Sequence, residues 1–237
     1  MRAYARRGEE TNRTNVSQSP SPAAIWFAVR VDDLRLLVFG DSLVAGVGDP
    51  EGRGWVGRVV SAAFEAGRPL TAYALGVRRE TSVEVAVRWR FEAMARLAPG
   101  ADCRVVFAVG ANDTTVENGA ERVPPSRSQM ALGKMLEQAA ALGLAASVAG
   151  PAPVGDAEQR ARVAALSDAF GELCAAREVP FWPVAERLAG SRAWLEEQAA
   201  GDGAHPAAAG YDALADALME AGLLDWLRAP ASTAQRA

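Results

Sequence analysis

Short apolar runs alternate with longer amphipathic stretches from residue 34 almost to the end of the chain. The runs predict buried β-strands over residues 34–39, 70–75, 104–109, 144–149 and 179–182. Elsewhere apolar residues recur every three or four positions, which predicts helices over residues 54–66, 82–97, 126–142, 156–177 and 207–227. Strands that alternate with helices are typical of a parallel sheet covered by helices. We therefore predict a three-layer α/β/α fold with a doubly wound sheet of about five parallel strands.

The first part of the chain lacks this pattern. Residues 1–22 are polar, rich in Ser, Thr, Asn, Arg and Pro, and show no apolar periodicity, so we predict a disordered tail there. An upstream start codon would also produce such an extension. The remaining residues, 23–237, are enough for one sizeable core, and we expect them to form a single domain.

Composition and charge exclude several classes of function. The formal net charge of −4 leaves no broad basic surface, so nucleic acid is not an expected partner. One histidine and two cysteines are too few for the usual four ligands of structural zinc, and no metal is expected. We interpret Cys103 and Cys174 as buried free thiols. The Gly-Val-Gly at 46–48 lacks the third glycine of a dinucleotide-binding fingerprint, so no cofactor is expected either.

No apolar run reaches the roughly 20 residues of a membrane-spanning helix. The nearest, residues 23–29, is short and ends at Arg30 without a small-residue cleavage site, which makes it a poor signal peptide. We therefore expect no integral membrane segment and a cytoplasmic location.

Three polar clusters stand where predicted strands end or a helix begins. Ser42 lies in Phe-Gly-Asp-Ser-Leu directly after the first strand, and Asn112 lies in Gly-Ala-Asn-Asp-Thr after the third. Asp202 and His205 are three residues apart in Gly-Asp-Gly-Ala-His, just before the last predicted helix. Parallel sheets bind their ligands at the carboxyl ends of the strands, which is where these clusters are expected.

These residue types together suit acyl transfer. An aspartate close to a histidine can bond one imidazole nitrogen and leave the other to take the proton of a serine nucleophile. An asparagine amide can donate to the oxyanion that forms. Each cluster alone is explained at least as well by a turn serine, an incidental loop histidine or an Asx-turn. Their coincidence at one edge of the sheet favours an active site.

In order and spacing the clusters resemble the conserved blocks of the SGNH, or GDSL-type, serine hydrolase family of esterases and lipases, over residues 35–223. The resemblance implies a flavodoxin-like α/β fold and an acyl-enzyme mechanism. It also implies that Ser42, Asp202 and His205 form the catalytic triad. Ser42, through its backbone amide, and Asn112, through its side chain, would then donate to the oxyanion hole.

One block departs from the family pattern. The family carries a glycine there, whose backbone amide completes the oxyanion hole. Aligning Glu-Thr-Ser at 80–82 puts Arg79 at that position, while Gly76 falls three residues earlier. An amide donor needs no glycine, so we assign the third donor to Arg79, with Gly76 as the alternative.

We predict a serine hydrolase that cleaves a carboxylic ester of a small molecule or lipid. The resemblance also permits a carbohydrate O-acetylesterase, an acyl thioesterase or a lysophospholipase. A catalytically silent binding module of the same fold is the non-enzyme alternative, which the presence of Ser42, Asp202 and His205 disfavours. Residues 150–156, after the fourth predicted strand, are expected to line the substrate pocket.

Overall fold

The computed structural model of the protein describes residues 33–230. The parallel strands follow the predicted runs to within two residues at each end, and their bounds are β1 (Leu34–Gly40), β2 (Thr71–Gly76), β3 (Asp102–Ala108), β6 (Ala145–Ala149) and β7 (Phe181–Trp182). They form one sheet in the order β2-β1-β3-β6-β7. A separate antiparallel hairpin consists of β4 (Val116–Glu117) and β5 (Ala120–Glu121). The disordered tail predicted for residues 1–22 lies outside the described residues.

Helices cover both faces of the sheet. In chain order they are α1 (Gly54–Glu65), α2 (Ser82–Met94), α3 (Pro125–Ala141), α4 (Ala157–Ala175), α5 (Ala185–Ala189), α6 (Arg192–Ala200), α7 (Ala208–Glu220) and α8 (Leu223–Arg228), with a short 3₁₀ turn at Asn112–Thr114. The first four helices match the predicted ones to within three residues at each end.

Three predictions of secondary structure were wrong or incomplete. The single helix predicted over 207–227 is two helices, because Gly222 takes a left-handed conformation (φ 112°) that ends α7. No helix was predicted where α5 and α6 lie, because both are too short to show a clear helical periodicity of apolar residues. The β4–β5 hairpin was also missed, although its Asn118-Gly119 turn has positive φ at both residues, as a tight hairpin requires.

Strand β1 explains the three layers. Its residues are almost all buried, and they alternate between two apolar clusters on opposite faces of the sheet. Leu36 and Val38 belong to the cluster that includes α1, α7 and α8. Leu37 and Phe39 belong to the cluster that includes α2, α3 and α4. Strands buried on both faces and covered by helices make up the doubly wound fold that the sequence predicted.

The strand order places a crevice at the carboxyl ends of β1 and β3. Counted among the parallel strands, the order is 2-1-3-4-5, the flavodoxin-like one, and the chain winds in opposite directions on either side of the β1–β3 pair. Ligands of such sheets bind at this switch point. Ser42 follows β1 and Asn112 follows β3, so both lie at this crevice.

Candidate active site

Ser42, His205 and Asp202 form a continuous chain of hydrogen bonds. The Nε2 atom of His205 lies 2.7 Å from the Oγ atom of Ser42, across 163 positions of sequence. The Nδ1 atom of the same ring lies 2.6 Å from an Oδ atom of Asp202. Both distances are those of well-formed hydrogen bonds. The structure thus brings together the two clusters in which the sequence predicted a nucleophile and its base.

The carboxylate of Asp202 is fixed by its own loop. One of its oxygens accepts hydrogen bonds from the backbone N–H groups of Ala204 (3.0 Å) and His205 (2.9 Å), and the other faces the imidazole. The hydrogen bond from the His205 ring, with those from the two backbone groups, lowers the pKa of Asp202 to about 2. The carboxylate is therefore ionised at neutral pH. A carboxylate beside Nδ1 favours the ring tautomer that carries its proton on Nδ1, and in that tautomer Nε2 faces Ser42 as an acceptor.

The turn that carries Ser42 is tight and close-packed. The side chain of Asp41 accepts a hydrogen bond from the N–H of Leu43 at 2.9 Å, and the carbonyl of Ser42 accepts one from Val47 at 3.0 Å. Gly40 is needed at the start of the turn, because a Cβ atom there would lie 2.2 Å from a backbone oxygen of β3. The N–H of Ser42 donates no hydrogen bond to any described residue and is free for a ligand.

The side chain of Asn112, just after the end of β3, lies beside the turn that carries Ser42. Its side-chain amide donates to the carboxylate of Asp41 and to the carbonyl of Glu80, each at 3.1 Å. Both amide protons therefore already have acceptors, and no sequence pattern predicted these two bonds. Asp41 is buried, and burial raises its pKa to about 6 in spite of the hydrogen bond from Leu43.

The loop around Asn112 is anchored by its neighbour. Asp113 is fully buried, and its carboxylate accepts hydrogen bonds from the N–H group (2.8 Å) and the hydroxyl of Ser82, the first residue of α2. A carboxylate at a helix N-terminus also interacts favourably with the helix dipole. Asp113 therefore ties the end of β3 to the start of α2.

Arg79 has the backbone conformation of a glycine. Its φ of 66° lies in the left-handed region that residues with a side chain seldom adopt. The N–H of Arg79 has no hydrogen-bond acceptor within residues 33–230, and its guanidinium points outward to Glu117 at 2.9 Å. Gly76 is the alternative donor. A Cβ atom there would lie 2.3 Å from the carbonyl oxygen of Asp41, so this glycine permits β2 to pack against the turn that carries Ser42.

A hydrogen-bond network that the sequence did not indicate joins residues 41–49, the loop that carries Ser42, to α7, the helix after His205. The buried guanidinium of Arg58 donates to Asp49 at 2.6 Å and to the carbonyl of Ala208 at 3.2 Å. The hydroxyl of Tyr211 donates to the carbonyl of Val47 at 2.7 Å. Both links join residues 41–49 to α7, so they fix the distance between the Ser42 and His205 loops. Arg58 lies 150 positions from Ala208, and Val47 lies 164 positions from Tyr211, so neither contact leaves a local pattern in the sequence.

The segment predicted to line the substrate pocket is only partly beside the site. Gly150, Pro151 and Ala152 line a small cavity behind the turn that carries Ser42, together with Asp41 and Leu43. Its volume of about 20 Å³ suits a single water molecule. The carbonyl of residue 153 accepts hydrogen bonds from α6 instead. The pocket for the substrate stays a prediction.

Residues 33–230 contain neither a metal-binding cluster nor a membrane-spanning helix. No group of three or more His, Cys, Asp or Glu residues among them is arranged to hold a metal ion. None of their helices is long and apolar enough to cross a membrane. Cys103 and Cys174 are both buried, as interpreted from the sequence, and neither forms a disulfide bond within the described residues.

Three solved structures of similar fold are named as a lipase/acylhydrolase or as esterases. The lipase/acylhydrolase from Enterococcus faecalis aligns with a TM-score of 0.65 and 20% identity, over 84% of this chain and 98% of that one. The acetylxylan esterase Axe2 from Geobacillus stearothermophilus aligns with a TM-score of 0.65 and 18% identity, over 79% and 93%. The esterase EstA from Pseudoalteromonas sp. aligns with a TM-score of 0.62 and 16% identity, over 82% and 99%. Identities this low show a shared fold.

Family membership follows from the sequence comparison. A search of curated proteins gave no match. The model of the GDSL-like lipase/acylhydrolase family matches residues 38–213, which include every residue of the candidate site. The chain therefore belongs to the GDSL-like lipase/acylhydrolase family of ester-hydrolysing enzymes.

Proposed function

We propose that this protein hydrolyses a carboxylic ester of a small molecule or lipid through an acyl-enzyme formed on Ser42. His205 acts as the general base, and Asp202 orients its ring. The observation that carries the proposal is the pair of hydrogen bonds, 2.7 Å and 2.6 Å long, that links the three side chains. A serine hydroxyl is a weak nucleophile until an adjacent base takes its proton, and this arrangement supplies that base.

The reaction proceeds in two steps. Nε2 of His205 takes the proton of Ser42 as Oγ attacks the ester carbonyl, and the carbonyl oxygen becomes an oxyanion. The tetrahedral intermediate collapses, the imidazolium gives its proton to the leaving alcohol, and the acyl group stays on Ser42. Water then attacks the acyl-enzyme with His205 again as base, and the acid leaves. The carboxylate of Asp202 stabilises the imidazolium in both steps.

Three donors stabilise the oxyanion in this proposal. Two of them are the backbone N–H groups of Ser42 and Arg79. Their assignment is supported because neither group donates a hydrogen bond to another described residue. Asn112 contributes the side-chain N–H that donates to Asp41 in this structure and that can be shared with the oxyanion. One such donor is typically worth about 3–4 kcal/mol of the barrier.

Hydrolysis of p-nitrophenyl acetate, butyrate and octanoate tests the proposal. We expect turnover by the wild type and its loss in Ser42→Ala. Ser61→Ala is the matched control, because Ser61 is exposed on α1, bonds its own helix at Gly57 and should leave activity unchanged. Full activity in Ser42→Ala would refute the proposal. The dependence of the rate on acyl-chain length separates an acetylesterase from a lipase-like enzyme. An acylated sugar and an acyl thioester, assayed in the same way, test the other substrates that the family resemblance permits.

A further inference from the structure

The turn at Arg79 and Glu80 needs external support. A left-handed residue with a side chain persists only where its surroundings hold it in place. Here φ is 66° at Arg79, where the family pattern has a glycine that would take this conformation without strain. The turn presents the Arg79 N–H, and the carbonyl of Glu80 holds the side chain of Asn112 at 3.1 Å. A shift of this turn would therefore move two of the three proposed oxyanion donors.

Arg88, in the middle of α2, supports the turn from inside the protein. Its Nε atom donates to both carboxylate oxygens of Glu80, at 2.7 Å and 2.9 Å. Its Nη2 atom donates to the carbonyls of Leu75 (2.9 Å) and Gly40 (3.2 Å), at the ends of β2 and β1. One guanidinium thus joins the turn to both strands, and Gly40 is only two residues before Ser42.

The pair is sheltered and its geometry is specific. The side chains of Arg88 and Glu80 are 18% and 15% exposed, so the pair is screened by water less than a surface ion pair is. Only arginine offers enough donors in one planar group to serve a carboxylate and two carbonyls together. On the other side of the turn, Arg122 donates to the carbonyl of Arg79 at 2.7 Å.

We propose that Arg88 is a positioning residue for the oxyanion hole, holding the Arg79 amide and the Asn112 side chain at fixed positions relative to Ser42. It acts through Glu80 and the two strand-end carbonyls and touches no reacting atom. The inference rests on the proposed function, which assigns the donors to this turn. Because the donors act on the oxyanion and not on the bound ester, loss of Arg88 should lower kcat and leave KM nearly unchanged.

Arg88→Met tests the inference, since it keeps an apolar side chain and removes every donor. A displaced donor typically costs on the order of 100-fold in rate, and we expect kcat on p-nitrophenyl acetate to fall about 10- to 100-fold with KM within about two-fold. Arg88→Lys, which restores one charge without the planar fork, should lie between Arg88→Met and the wild type. Glu80→Gln should also lower kcat.

Arg35→Met is the matched control. Arg35 is 24% exposed, pairs with Asp33 at 2.8 Å and donates to the carbonyl of Arg96 at 2.9 Å, at the amino ends of the strands. The Arg35→Met variant should lose about as much stability as Arg88→Met does, and it should keep the wild-type kcat. The single histidine adds a readout of the triad, because the Nδ1 proton resonance of His205 in tag-free protein should be the same in Arg88→Met as in the wild type.

Three results would overturn the inference: an unchanged kcat in Arg88→Met, an equal fall of kcat in Arg35→Met, or a shifted His205 resonance, which would place the damage in the triad. If Arg88→Met does not fold, Arg88→Lys and Glu80→Gln decide by the same criteria. Activity that depends on Ser42 but not on Arg88 contradicts this inference alone. Activity that survives Ser42→Ala contradicts the proposed function instead.

Discussion

Replacing Asp202 by asparagine should disable the base while leaving the fold intact. In the protein, one oxygen of Asp202 accepts from the N–H groups of Ala204 and His205, and the other accepts from the ring Nδ1. An asparagine has only one oxygen for these two places. If that oxygen keeps the backbone bonds, the amide NH₂ faces Nδ1, and the ring must move its proton to Nε2. The atom that faces Ser42 is then a donor and cannot take the serine proton.

The opposite orientation of the asparagine is no better. Its oxygen would then accept from Nδ1, but its NH₂ would face the backbone N–H groups of Ala204 and His205, so both of these donors would lose their acceptor. Loss of the correct tautomer in a Ser-His-Asp triad lowers kcat about 10⁴-fold in the template case of a serine protease. We expect a fall of that order for Asp202→Asn.

The assay is kcat and KM on p-nitrophenyl acetate, with the thermal midpoint as a measure of folding. Asp225→Asn makes the same chemical change at an exposed position in the first turn of α8 and should have wild-type kinetics. Activity of Asp202→Asn within ten-fold of the wild type, with the protein folded, would refute the reasoning. The base would then not depend on Asp202 for its orientation.

Three further predictions concern the groups around Ser42. Asn112→Ala should lower kcat about 100-fold with little change in KM, measured on the same ester. Arg79→Gly should keep kcat within about three-fold, because the proposed donor is the backbone N–H, and should not lower the thermal midpoint, since it relieves about 1–2 kcal/mol of left-handed strain. The pKa of Asp41 is about 6 when folded, above its value in the unfolded chain, so the folded protein binds the extra proton. Its contribution to the free energy of unfolding is thus present at low pH and is lost as pH rises from about 4 to 6, by up to about 3 kcal/mol. Urea unfolding of Asp41→Asn should show a smaller fall between pH 4 and pH 7 than the wild type shows.

The sequence predicted those parts of the fold and site that depend on local patterns. The run at 34–39 is apolar throughout, as a strand buried on both faces requires, and it became β1 with one residue added. Asp202 and His205 are close in sequence, so a tight loop was enough to suggest their contact. Ser42 and Asn112 follow strands of one parallel sheet, and the ends of such strands must lie at one edge.

The rest depends on contacts that leave no local pattern. Arg88 lies on α2 and Glu80 lies in the turn between β2 and α2, so their pairing follows from how this turn packs against the helix. Arg58 meets Ala208 across 150 positions. The sequence indicated Asn112 as an oxyanion donor, but the engagement of both its amide protons follows from the approach of Asp41 and Glu80 in three dimensions.

The most direct test of the account is the reaction of the whole protein with a serine-reactive fluorophosphonate, followed by intact mass and peptide mapping. We expect one adduct per chain, located on Ser42, absent in Ser42→Ala and formed much more slowly in His205→Ala. An adduct on another residue, or a protein that hydrolyses esters while its Ser42 stays unlabelled, would contradict the proposed function.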